Sequence, residues 1–143
     1  MSEAIQEEQA ALKIQQLTQQ VVSCLYDNKA HDIAVLDVEG RTSYCDRLVL
    51  CSGSSGRQVR ALAGHVMSAI RQSGNHPLGT EGLGSGRWVL VDLGAVVVHI
   101  FDEESRSHYD LDGMWADANK ITLSSLGVSE EEPPSSETAP VWG

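Results

Sequence analysis

The carboxylates and hydroxyls of this chain include patterns suited to phosphate and metal chemistry. Ser52-Gly53-Ser54-Ser55-Gly56 is a glycine-serine turn of the kind that opens a helix and turns its first backbone N–H groups toward a triphosphate. Two-metal transfer of a nucleotidyl group also needs a pair of carboxylates one residue apart on a following strand. Asp37-Val38-Glu39 has that spacing but precedes the turn, and Asp110-Leu111-Asp112 falls in a stretch that reads as short helices. The strand after the helix offers Asp92 alone. Half of the constellation is missing.

Other reactive groups point to bland roles. Gly82-x-Gly84-x-Gly86 is neither a P-loop nor a dinucleotide fingerprint, because no Lys-Ser/Thr follows and it leads into a strand; it reads as a flexible loop. His31, His65, His76, His99 and His108 lack metal-ligand spacing. Cys24, Cys45 and Cys51 contain no C-x-x-C pair and read as free thiols. Ser54 and Ser55 have no adjacent His-Asp set, so helix capping accounts for them better than nucleophilic attack. No cofactor and no metal are expected.

The elements that hold these residues alternate between helix and strand. Ile14, Leu17, Val21 and Leu25 recur at three- and four-residue steps, which predicts an amphipathic helix from about Ala10 to Tyr26. Asp32–Val38 is nearly continuously apolar and predicts a buried strand, with Asp46–Cys51 as a second. Val59, Leu62, Ala63, Val66, Met67 and Ile70 predict a second helix, ended by Gly74 and Pro77. Trp88–Asp92 and Val96–Phe101 predict two more strands about a Leu93-Gly94-Ala95 turn, followed by an acidic helix start at Asp102. The order implies a single compact α/β domain with a mixed sheet flanked by helices, in which hairpins pair antiparallel and the middle helix is a crossover.

Composition bounds the whole. At 143 residues the chain suits one domain with tails: a flexible N-terminus over 1–9, the α/β domain over 10–122, and a disordered acidic tail over 123–143 carrying Glu130-Glu131-Glu132-Pro133-Pro134. Ten Lys and Arg against twenty Asp and Glu give a net charge of −10, which argues against a direct grip on nucleic acid and suits a basic protein partner. There is no apolar run of about 18 residues and no basic, apolar signal at the N-terminus. A cytoplasmic location and no membrane contact are expected.

The large side chains near the last two strands are the candidates for partner contact. Alternation places Trp88, Leu90 and Asp92 on one side of their strand and Val89 and Val91 on the other, while Val97, His99 and Phe101 oppose Val96, Val98 and Ile100. Trp88 either packs in the core or anchors a partner, and His99 either sits satisfied in the sheet or contacts that partner. Glu81, Asp92 and Glu103 are placed to meet Lys or Arg.

Several separated segments resemble the ribosomal silencing factor family, also called RsfS or Iojap. They are Asp46, Cys51-Ser52-Gly53-Ser54-Ser55 with Arg57-Gln58-Val59, Pro77-Leu78-Gly79-Thr80-Glu81-Gly82, Trp88 through Gly94, Val98-His99-Ile100-Phe101, and Arg106-Ser107-His108-Tyr109-Asp110-Leu111 through Trp115. The resemblance covers about Ala10 to Ala118. It implies a nucleotidyltransferase-like fold without the activity, and a non-enzymatic factor that binds the large ribosomal subunit through large-subunit ribosomal protein fourteen. Such a factor sterically blocks subunit joining and so represses translation when nutrients are scarce; a homodimer of the free protein is also implied. Glu81, Trp88, Asp92, His99, Glu103, Arg106 and Tyr109 are the partner-binding residues this reading selects. The alternative is a nucleotidyltransferase-like domain that binds or transfers a nucleotide through the Gly-Ser turn.

Overall fold

The computed structural model describes residues 2–128. Helix α1 (Glu3–Asp27) is followed by strands β1 (His31–Asp37) and β2 (Arg47–Gly53), helix α2 (Gly56–Gln72) and strands β3 (Gly79–Glu81), β4 (Trp88–Asp92) and β5 (Val96–Asp102). Two short helices, α3 (Glu103–Tyr109) and α4 (Leu111–Met114), lead to β6 (Asn119–Ile121) and a 3-10 turn at Ser124–Leu126. The strands form one six-stranded sheet in the order β3-β4-β5-β2-β1-β6. Among the described residues only β2 and β5 run parallel, with α2, β3 and β4 between them in the chain, and every other neighbouring pair is antiparallel.

The register divides the side chains between two faces. Val89 and Val91, Val98 and Ile100, Val49 and Cys51, and Val35 lie in one core beneath the two long helices. Val21, Val22 and Leu25 of α1 and Val59, Leu62, Ala63, Val66 and Ile70 of α2 fill it. The buried Thr18 hydroxyl donates to the Ile14 carbonyl at 2.7 Å, so its burial leaves no unpaired group. The opposite face carries Leu36, Leu48, Leu50, Val97 and Phe101, with Trp88, Leu90 and Trp115 packed against them and only α3 and α4 above.

Three boundaries differ from the sequence reading. Helix α1 begins at Glu3, not Ala10, with the Ile5 N–H donating to the Ser2 hydroxyl. Its first turns are exposed Glu, Gln and Ala around a lone exposed Ile5, good helix formers with no apolar stripe to be read. The two edge strands, β3 and β6, were not expected: each has three residues, too short for alternation to register. The packed domain also runs past residue 122, since Leu126 and Val128 are buried beside α1 and Leu123 packs against them. The acidic stretch expected to be disordered lies, from residue 129 on, outside the described residues.

Leu126 tests the extended boundary. Leu126→Ala removes a side chain that is only 3% exposed and leaves a cavity in the helix-covered core, so a loss of about 2–4 kcal/mol is expected in urea unfolding. A loss within about 0.5 kcal/mol would mean that this segment is not part of the domain.

Candidate functional site

The half-open sheet face is organised in rows that run across the strands. Asp92 pairs with Val97, which pairs with Leu48, while Leu90 pairs with His99 and His99 with Leu50. Glu81 stands beside Leu90, and Gly79 stands beside Asp92. Trp88 pairs with Phe101, and Phe101 with Ser52. The register therefore puts Glu81, Trp88, Leu90, Asp92, Val97, His99 and Phe101 on one face, consistent with the alternation read within β4 and within β5.

An aromatic cluster covers one end of that face. The Trp88 ring stacks on Phe101 at 5.1 Å, and Tyr109 of α3 lies over it at 4.6 Å between centroids. The indole N–H donates to His99 Nδ1 at 3.0 Å. A neutral imidazole that accepts at Nδ1 carries its proton on Nε2. His99 is 8% exposed, and burial lowers its pKa to about 4, so the neutral form holds at pH 7. Trp88 is thus half-buried and fixed by three rings and a hydrogen bond, while Tyr109 is half exposed.

Beside the cluster lies a pocket of about 360 Å³. Its floor is Leu48, Leu90 and Val97, its walls are Trp115 and the Thr42–Cys45 loop, and Glu81, Asp92 and His99 supply its polar groups. Tyr44 on that loop is 87% exposed. Asp92 Oδ1 accepts from the Gly94 N–H at 2.9 Å, which sets the tight turn between β4 and β5.

Arg106 and Glu103 sit apart from this pocket. The Arg106 side chain is only 14% exposed and is fully engaged. Its Nε and Nη2 donate to both carboxylate oxygens of Asp112, and its Nη1 donates to the Asp32 carbonyl at 2.6 Å and the Ser52 hydroxyl at 3.0 Å. That hydrogen bonding holds the Asp112 carboxyl below its ordinary range. Arg106 therefore ties α3 to α4, β1 and β2, a role that spacing could not reveal because its partners lie far along the chain. Glu103 faces His31 at 3.7 Å, with both side chains well exposed.

The groups considered for catalysis are committed to structure. Asp37 accepts from Arg47 at 3.2 Å and from the Glu39 N–H. Asp110 adopts a left-handed conformation (φ 51°) and caps α4 by accepting from the Gly113 N–H. At the Gly-Ser turn, Gln58 Oε1 accepts from the Ser54 N–H at 2.6 Å and Ser55 Oγ accepts from the Gln58 N–H. Two backbone donors of this turn, those of Ser54 and Gln58, are thus taken by side chains. Among the described residues no group of three or more His, Cys, Asp or Glu could hold a metal ion, and no helix is long and apolar enough to cross a membrane. The thiols of Cys24, Cys45 and Cys51 are all pushed up by burial, Cys51 to about 12.

These features define an α/β domain with a mixed sheet, one face sealed by helices and the other left partly open and aromatic. The profile described as "Ribosomal silencing factor during starvation" matches residues 11–142, and the chain belongs to that family. It is 42% identical to ribosomal silencing factor RsfS of Bacillus subtilis over 64% of this chain and 78% of that protein. It is 39% identical to the RsfS of Chromobacterium violaceum over 73% of this chain and 85% of that protein. A more distant relative, mouse "Mitochondrial assembly of ribosomal large subunit protein 1", is 30% identical over 66% of this chain and 43% of its own length. A crystal structure of a Chromobacterium violaceum protein superposes with a TM-score of 0.71 at 37% identity, covering 85% of this chain and 98% of that one.

Two measurements probe the site's internal supports. The folded state holds His99 near pKa 4 and the unfolded state near 6.5, so the unfolded chain takes up the proton first as pH falls. The stabilisation is complete above about pH 6.5 and is lost progressively toward pH 4. Chemical unfolding at pH 7 and pH 4.5 should show a loss on the order of 2 kcal/mol that His99→Gln largely removes; an equal loss in the variant would assign the acid sensitivity to other groups. Arg106→Ala should cost about 2 kcal/mol or more in the same assay, because it strands the Asp32 carbonyl and releases Asp112. An unchanged thermal melt would show that the clamp does not hold the short helices.

Proposed function

We propose that this chain is a non-enzymatic, cytoplasmic ribosomal silencing factor that docks on the large ribosomal subunit through large-subunit ribosomal protein fourteen. Bulk placed at the subunit interface then blocks joining of the small subunit and represses translation. The observation that carries the reading is the half-open sheet face, where Trp88, Leu90 and Tyr109 form an apolar patch beside the carboxylates of Glu81 and Asp92. Central aromatics with a charged surround are the usual anatomy of a protein-binding surface. Family membership supports a ribosomal partner, and the mouse relative's name links that protein to the large subunit.

The net charge of −10 favours a basic protein over bare RNA and speeds encounter with it. In this reading Trp88 and Tyr109 are the anchors, His99 fixes the Trp88 ring from below, and Arg106 positions α3 without touching the partner. Glu103 contributes at most to the outer rim, since it lies with His31 and not with Glu81 and Asp92. The same patch is open to a second copy when the protein is free, at the cost of bringing two sets of carboxylates together. The alternative of nucleotide transfer is disfavoured by the self-capped Gly-Ser turn and by the engagement of Asp37, Asp110 and Asp112 in local structure.

Co-sedimentation with isolated ribosomal subunits tests the proposal. The wild-type protein should pellet with large subunits and not small ones, and should reduce joining when added before the small subunit. Trp88→Ala should weaken large-subunit binding by about 2 kcal/mol, roughly thirtyfold. Because Trp88 also packs on Phe101, a melt must show the variant folded at the assay temperature. A folded variant with wild-type affinity would place the docking surface elsewhere.

A further inference from the structure

The pocket beside the aromatic cluster combines features that the patch as a whole does not explain. Its floor is apolar, yet two carboxylates open onto it and, among the described residues, no Lys or Arg lines it. Glu81 is paired with Leu90, and Asp92 lies two residues further along β4 on the same face. Diagonal neighbours of this kind have their side chains about 7 Å apart, a span that a planar cation held between them can bridge. Gly79, opposite Asp92, has no side chain to fill the space beside that carboxylate.

The surroundings suit a cation on a long apolar stem. Leu90 and Val97 give the stem a floor, and the indole of Trp115 together with exposed Tyr44 offers aromatic surface at the walls. His99 lines the same pocket but is neutral at pH 7, so it does not repel a positive group. Its Nδ1 is occupied by Trp88, which leaves the Nε2–H as a donor for a carbonyl oxygen of whatever segment enters.

We propose that this pocket is a socket for a single arginine side chain of the basic protein partner, with the guanidinium held between Glu81 and Asp92. The inference rests on the docking face described above and adds to it a specific contact with a stated chemistry. Arginine fits better than lysine, because its flat, five-donor head can serve two carboxylates at once and lie against an aromatic ring. Trp88 then supplies the apolar anchor and the socket supplies register.

The test uses the full chain with a minimal probe and, separately, with large subunits. N-acetyl-arginine methylamide should shift the backbone resonances of Leu90 and Val97 and the indole resonance of Trp115 in an NMR titration. The citrulline analogue, which has the same shape without the charge, should bind at least tenfold more weakly. Glu81→Gln combined with Asp92→Asn should abolish the arginine effect, and Asn at position 92 retains an oxygen for the Gly94 N–H. Equal response to the two probes, or no response at these residues, overturns the socket. In co-sedimentation the double variant should bind large subunits about tenfold more weakly at low salt, with a shallower salt dependence. If wild type and double variant bind large subunits equally, the socket is wrong and the ribosomal reading stands. If the arginine probe fills the pocket while wild type ignores large subunits, the ribosomal reading is wrong and the socket stands.

Discussion

A six-stranded sheet served by only two long helices can be sealed on one face, and this constraint governs the rest of the molecule. Helices α1 and α2 both lie over the face that carries Val35, Val49, Cys51, Val89, Val91, Val98 and Ile100. The other face still holds Leu36, Leu48, Leu50, Val97 and Phe101, which need cover to be worth burying. Cover comes from the seven-residue α3, the four-residue α4 and the rings of Trp88, Tyr109 and Trp115. These are enough to bury the middle of the face beneath β2 and β5 but not the part over β3 and β4, which is where Leu90 remains only half-buried.

Helices this short do not hold themselves together, because nucleation costs more than one or two turns of hydrogen bonds return. Side chains compensate. Asp102 caps α3, Asp110 turns the chain in a left-handed conformation and caps α4, and Arg106 binds both oxygens of Asp112 while reaching the ends of β1 and β2. A Cβ at Gly113 would push aside the Asp110 carboxylate, so a larger residue there would disturb the cap of α4. The placement of Tyr109 over Trp88 is the product of that scaffold. Polar residues in the Arg106–Asp112 stretch thus hold the apolar site in place from outside it.

What could be read from the sequence follows from the range of the interactions involved. Local periodicity is enough to find α2, β4 and β5, to put Trp88, Leu90 and Asp92 on one side of β4 and to set His99 apart from Val98 and Ile100 on β5, because alternation and helical spacing are encoded within a few residues; that His99 shares the Trp88 face takes the cross-strand register. Ser55 as a helix cap is equally local. Edge strands of three residues are invisible to the same logic, and so is a helix start that buries nothing. Arg106 looks like a surface cation because its partners include Asp32 and Ser52, 74 and 54 positions away. Glu81, Asp92 and Glu103 look equivalent as carboxylates, yet only cross-strand register shows that the first two share a pocket and the third does not.

An apolar face left partly open is a hazard as well as a resource, and the charge distribution bears on both. The sheet edges are three residues long, too short to template pairing with another sheet. Glu81 and Asp92 stand at the margin of the open region, and the chain as a whole carries a charge of −10. Two copies approaching through this face bring like charges together, which costs free energy, whereas a basic partner gains from the same groups. Apolar area alone would not discriminate between these encounters, since it is buried in either. In the docking proposed above, the carboxylates therefore select the partner surface and the aromatic patch sets how long it stays.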